Sequence, residues 1–225
     1  MARWSLSEHR SDLKIKNWTL YEKLNTHSFM SNKKQDKRNR IIEAAIVKIA
    51  EKGYHSARMS DIAKKAGVAD GTIYNYFQNK EHLLLSIFED KMTELIQIAR
   101  EEVESQGDPL NKFEAFVRMH FVHLQQNPEL AQVFQVELRQ SHRFFHGYRL
   151  EKLFEYLGIL GKVIREGQKK GLFNSEIDAN ILQWSIFGTL DELSMNWVLS
   201  DKQWPQRLDE IPKQVVQMFV KGIGV

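Results

Sequence analysis

DIAKKAGVADGTIYNYFQNK, residues 61–80, is the stretch whose reading decides the fold. Ile62, Ala63 and Ala66 are small or apolar residues at helical spacing, and Ser60 stands where an N-cap is expected. Gly67 then marks a tight turn. Gly71 opens a second short helix, expected over 71–77, which offers Tyr74, Asn75, Tyr76 and Phe77 as large apolar and hydrogen-bonding groups. A helix, a tight turn and a second helix that can reach base edges form a helix-turn-helix, whose second helix lies in the DNA major groove. Double-stranded DNA is therefore the first partner implied.

Upstream, Ile41, Ile42, Ala45 and Ile49 give one apolar stripe on a helix expected over 34–52, ended by Gly53. Ile62, Ala66, Val68, Ile73 and Phe77 are the expected mini-core that holds the second helix in place. Thr72, Tyr74, Asn75 and Tyr76 are the candidates for DNA contact, and Asn75 can pair bidentately with an adenine edge. Ser60 lies at a helix start suited to a phosphate. Lys33, Arg38 and Arg40 can add salt-dependent affinity from an N-terminal arm. Lys80 begins the next helix, where a cation is poorly placed against the helix dipole, so a phosphate contact is expected there.

The string from Ile41 to Lys80 resembles the DNA-binding head of the TetR family of repressors. Its matches include Gly53-Tyr54, Ile62-Ala63, Ala66-Gly67-Val68, Gly71-Thr72, Tyr74, Tyr76-Phe77 and Lys80. The resemblance implies phosphate contacts from Tyr74, Tyr76 and Lys80. Ala69 departs from the Ser common in the family, which leaves Asp70 as the alternative cap.

Composition bounds the class further. The 225 residues are 42% hydrophobic, enough for a sizeable core. There is no cysteine, hence no disulfide, thiolate metal site or cysteine nucleophile, which suits a cytoplasmic protein. No run approaches the ~20 apolar residues of a membrane span, and no apolar signal core opens the chain. Charge is distributed unevenly. Residues 31–80 hold 11 Lys and Arg against 5 Asp and Glu, a net +6, whereas residues 81–225 carry a net −5. The basic portion coincides with the helix-turn-helix, as a phosphate-facing surface requires.

The chain reads as all-α. Residues 1–32 are expected to be a poorly ordered extension, 33–79 the DNA-binding head, and 80–225 a helical ligand-binding and dimerisation body. Body helices are expected over 80–105, 110–125, from Pro128 to about Leu138, and over 149–170, 178–199 and 208–222. Gly107-Asp108-Pro109, Asn127-Pro128 and Gly171 punctuate them. One head reads only a few base pairs, so a homodimer on a pseudo-palindrome is expected. Ile181, Ser185, Gly188, Thr189 and Glu192, with Val215 and Phe219, put small and apolar residues at helical spacing on the last two helices, the expected dimer surface.

Two strings in the body, VELRQS (136–141) and IFGTLDE (186–192) with Trp197, resemble the fatty-acyl-CoA-responsive repressors within the family. This implies a long-chain acyl-CoA inducer and control of fatty-acid degradation genes. An acyl chain needs an apolar tunnel. Phe116, His120, Phe121, Leu124, Phe134 and Leu138 could line one, with Leu153, Leu157, Trp184 and Phe187 and room left at Gly161. The polyanionic head needs cations, which Arg139, Arg143 and Arg149 can supply. A repressor of an efflux gene, induced by a hydrophobic or cationic drug, is the alternative. An enzyme is not expected: there is no phosphate loop or nucleophile elbow, and the His120/His123 and His142/His146 pairs lack the glutamate of H-E-x-x-H. No cofactor or metal is expected.

Overall fold

The computed structural model describes residues 33–137, 150–200 and 210–223. The chain falls into two units, Met1–Arg40 and Ile41–Val225. Residues 1–32, and with them the expected extension, lie outside the described residues. In the first unit the start of α1 (Lys33–Lys52) is closed by Gln35 Nε2 donating to Asn39 Oδ1 at 2.9 Å.

Among the described residues of the second unit the regular elements are all helices. α1 buries Ile41, Ile42, Ala45, Ile46 and Ile49. It stops at Gly53, whose φ of 77° needs no Cβ and whose N–H donates to Ile49 O. α2 (Met59–Ala66) buries Ile62, Ala63 and Ala66 against the same cluster, and Gly67 closes it at φ 67°. Its first residue is Met59, and Arg58 holds the cap position in extended geometry without a side-chain cap. Ser60 is thus inside the first turn rather than capping it. α3 is shorter than expected, Asp70–Ile73. Ala69 caps it without a side chain, and Asp70 is its first residue, not its cap. Beyond Ile73 the turn tightens: Asn75 and Tyr76 N–H groups donate to Thr72 O and Ile73 O, three residues back. Such i→i−3 bonds replace the α-helical ladder where nothing caps the end.

Body helices keep close to their expected bounds because their caps are in the sequence. Asn79 accepts from His82 N to start α4 (Lys80–Glu104). Asp108 accepts from Leu110 and Asn111 N to start α5 (Pro109–Gln126), with Pro109 in the first turn. α6 (Pro128–Gln132) runs into a π-helical turn, Val133–Glu137. α7 is Leu150–Lys169 and is followed by Gly171 at φ 68°. Asp178 caps α8 (Ala179–Leu199), and α9 is Ile211–Ile223.

α5 is the centre of the body and packs on α4, α7, α8 and α9. Its Phe113, Phe116 and Phe121 are fully enclosed. Each such ring contributes roughly 1.5–3 kcal/mol through apolar burial. Phe113 meets Phe173 edge-on at 6.2 Å, and Gly167 on α7 lies under the Phe173 ring, where a Cβ would collide with it. Gly161 plays a similar part on α7, with the Gln183 side chain of α8 where its Cβ would be.

Candidate functional site

The head exposes one side of the helix-turn-helix. Tyr74 is 55% exposed and Asn75 is exposed, so both side chains are available to a partner. Tyr76 is half-buried and packs on the core beside Phe77, whose ring is 1% exposed and anchors the turn. Thr72 is half-buried and Ser60 exposed. On α1, Arg40 is exposed and Arg38 half-buried. The Lys52–Asp61 ion pair, 2.8 Å, ties the end of α1 to the start of α2.

Lys80 has a different occupation from the expected phosphate contact. Its Nζ donates to Tyr54 O, His55 O and Ala57 O at 2.6, 2.9 and 3.0 Å and lies 4.7 Å from the Tyr54 ring centroid. All three ammonium protons are engaged with the loop between α1 and α2, and burial lowers its pKa. The charge at this helix start is explained by three carbonyls 23–26 residues upstream.

α4 links this head to the body. Lys91, on its fourth turn, pairs with Glu43 of α1 at 2.7 Å and with Glu94 at 3.0 Å. Burial opposes the Lys91 charge, but the two carboxylates outweigh it and raise its pKa.

The body holds a cavity of about 70 Å³ between α4, α5, α6 and the π-helical turn. Leu95, Leu124, Leu130, Ala131 and Phe134 give it apolar walls, with His120, His123, Asn127 and Gln135 as its polar groups. His120, Leu124 and Phe134 are therefore brought together as the sequence suggested. Phe116, Phe121 and Leu157 are instead sealed in the packed core, and Leu153 lies at its edge. Gly161 is occupied by the α7–α8 approach. Trp184 is 45% exposed, edge-on to Phe154 and Phe187 at 6.1 Å from each, and shares an outer face rather than the cavity. Leu138, Arg139, Arg143 and Arg149, with the His142/His146 pair, lie outside the described residues.

Sequence reading missed the polar lock behind the cavity. Ser194 Oγ donates to Leu190 O at 2.7 Å, so it must accept from His120 Nε2–H at 3.1 Å. The neutral imidazole then accepts at Nδ1 from the Tyr156 hydroxyl at 3.0 Å. Burial lowers the His120 pKa to about 4 and raises that of Tyr156, which keeps both neutral. These bonds tie α5, α7 and α8 together. Also missed was His123, whose buried Nδ1 has no partner among the described residues. The only sequence signal for it was its spacing of three from His120.

Along α8, Ile181, Ser185, Gly188 and Glu192 are exposed and Thr189 is half-buried. On α9, Val215 is 4% exposed and belongs to the core, and Phe219 is half-buried against it. The outer face is thus made by α8 more than by the α9 residues expected. Among the described residues, no helix is long and apolar enough to cross a membrane.

Residues 41–87 match the family of bacterial regulatory proteins known as the tetR family, and residues 88–222 match the C-terminal region of YsiA-like proteins. The fatty acid metabolism regulator protein of Bacillus subtilis is 39% identical over 190 residues, 84% of this chain and 97% of that protein. The solved structure of the fatty acid degradation regulator FadR from Bacillus halodurans aligns with a TM-score of 0.76 at 43% identity, over 82% of this chain and 98% of that one. FadR from Bacillus subtilis in complex with stearoyl-CoA aligns with a TM-score of 0.76 at 39% identity, with the same coverage. These likenesses run through head and body alike, and they are to DNA-binding regulators rather than to enzymes. The chain belongs to the tetR family of bacterial transcriptional regulators.

Proposed function

We propose that this protein is a dimeric repressor of fatty-acid degradation genes that leaves its operator when a long-chain acyl-CoA binds its body. The observation that carries the reading is the full-length likeness to a fatty acid metabolism regulator, including a FadR structure with stearoyl-CoA. It favours a lipid inducer over a drug. The domains are read as 33–79 for DNA and 80–225 for ligand and dimerisation, behind an extension of 1–32, with the cytoplasm as the place of action.

In the head, Tyr74 and Asn75 reach the major groove, with Thr72 and Tyr76 at its edge. Ser60, Arg38 and Arg40 meet phosphates, and Lys80 holds the loop behind them. Arg139, Arg143 and Arg149 supply cations for the polyanionic head of the ligand. The apolar cavity takes part of the acyl chain. At about 70 Å³ it is smaller than the ~300–1,000 Å³ of a ligand-sized pocket, so the chain enters by pushing the surrounding helices apart. One of those helices is α4, which begins in the head and is pinned to α1 by Lys91 and Glu43. Displacing it reorients the head. A ligand moves the population only by its differential affinity for the two arrangements, and most of the shift requires about 3–5 kcal/mol.

A gel shift with a pseudo-palindromic operator tests this. Palmitoyl-CoA should release the DNA at concentrations where free CoA and palmitate do not. Retention of the complex with acyl-CoA of every chain length would refute the inducer.

A further inference from the structure

We propose that His123 reads the carbonyl oxygen of a bound acyl thioester, with its Nδ1–H donating to that oxygen from the cavity wall. The inference rests on the acyl-CoA reading above and deepens it by naming the atom that tells a thioester from a plain alkyl chain.

The cavity has four polar residues in its lining, and three of them have a side-chain nitrogen hydrogen-bonded within the protein. Both His120 nitrogens are bonded, to Tyr156 and Ser194. Asn127 Nδ2 donates to the backbone oxygen of His123 at 2.9 Å, and Gln135 Nε2 donates to Asp191 Oδ1 at 3.3 Å. His123 Nδ1 is buried and has no hydrogen-bond partner among the described residues. An unpaired polar atom inside a protein costs about 1–3 kcal/mol, and native proteins carry few of them. The Asn127 bond fixes the backbone at the end of α5, so the position of this imidazole is held by the fold.

The chemistry of the open position selects its ligand. Burial, aided by the Lys91 charge, lowers the His123 pKa to about 4, so the ring is neutral near pH 7 and can carry its single proton on Nδ1. A neutral donor in an apolar wall suits a neutral acceptor. A carboxylate would bring an unpaired charge into low dielectric at high cost. An acyl thioester is a long alkyl chain with one strong neutral acceptor at its first carbon. That acceptor matches the unpaired Nδ1.

The test compares palmitoyl-CoA with its S-hexadecyl thioether, in which a methylene replaces the carbonyl while chain and head stay the same. Dissociation constants are measured on the full-length wild type, His123→Leu and His123→Asn. The wild type should prefer the thioester about tenfold, the worth of one buried hydrogen bond. His123→Leu should bring the ratio to about one. His123→Asn, whose amide N–H falls near the place of Nδ1, should keep a several-fold preference. A merely structural histidine would change both affinities together and leave the ratio untouched. A wild-type ratio of about one, or an unchanged ratio in His123→Leu, overturns the proposal and assigns Nδ1 to a water. Melting curves of the free variants show whether the leucine variant folds; if it does not, loss of the preference in His123→Asn overturns the proposal and its retention upholds it. A wild type that binds neither compound overturns the acyl-CoA reading itself, and this inference with it.

Discussion

Lys80 puts a cation at the positive end of a helix, where its ammonium donates to the loop behind it. Its three bonds to Tyr54, His55 and Ala57 oxygens satisfy carbonyls that α1 and α2 leave unpaired where they meet. Lys80→Met keeps the stem and removes the donors. It should lower the unfolding free energy by about 1–3 kcal/mol, read as a drop in the urea midpoint. It should leave the slope of log K against log salt for operator binding unchanged. A phosphate contact predicts the reverse: unaltered stability and a slope reduced by about one. At this scale, what the sequence made legible was whatever depends on neighbours in the chain. Gly53 and Gly67 were readable because positive φ is a local demand. The role of Lys80 was not, because its partners lie 23–26 residues away and only the fold brings them near.

α5 shows which parts of an element are written locally. Its start at Asp108-Pro109 and its stop before Pro128 follow from capping and from proline, and the apolar stripe of Phe113, Phe116 and Phe121 follows from period. Helix α3 was misjudged for a complementary reason. With Ala69 and not a hydroxyl at its cap, its length is set by how Phe77 seats in the core. The destination of the two α5 histidines was equally hidden, since a histidine reads the same on an inner or an outer face. Both are half-buried and turn ring nitrogens inward, with pKa values lowered from 6.5 to about 4 mainly by burial. Asp191 partly offsets the shift at His120, His123 adds to it, and Lys91 adds to the shift at His123. Between pH 6.5 and 4 the unfolded chain binds more protons than the folded one. Their stabilisation is therefore complete above 6.5 and is lost as pH falls toward 4. One such histidine accounts for roughly 3 kcal/mol, and less when a neighbouring histidine shares the effect. Urea midpoints taken from pH 7 to 4.5 should fall more steeply in wild type than in His123→Asn. Parallel curves would show that His123 does not titrate in this window.

For the whole molecule the outer face of α8 is the exposed apolar surface available to the proposed dimer. Ile181, Trp184, Ser185, Gly188 and Glu192 fall on one side of the helix, and Ile181 and Trp184 are 62% and 45% exposed. Large apolar groups held in water along one helix face mark an interaction surface. The small residues Ser185 and Gly188 follow them on the same side, and nothing stands within 4 Å of where a Gly188 Cβ would be, so a second helix can approach closely. The sequence made the stripe legible by its spacing. It could not tell that Trp184 belongs to this face and not to the cavity, nor that Val215 turns inward, because an apolar residue at helical spacing fits core, pocket and interface equally well. If two copies meet here, Ile181→Glu combined with Trp184→Glu places four acids in the joint and should yield a monomer by sedimentation. Neither residue lines the cavity, so acyl-CoA affinity should stay within a few-fold. Operator affinity should fall by about 10²–10⁴, the avidity lost when one head binds without its linked partner. A variant that sediments as a dimer would move the interface elsewhere. A monomer with undiminished operator affinity would show that one head suffices, and the pairing of heads would then have no part in repression.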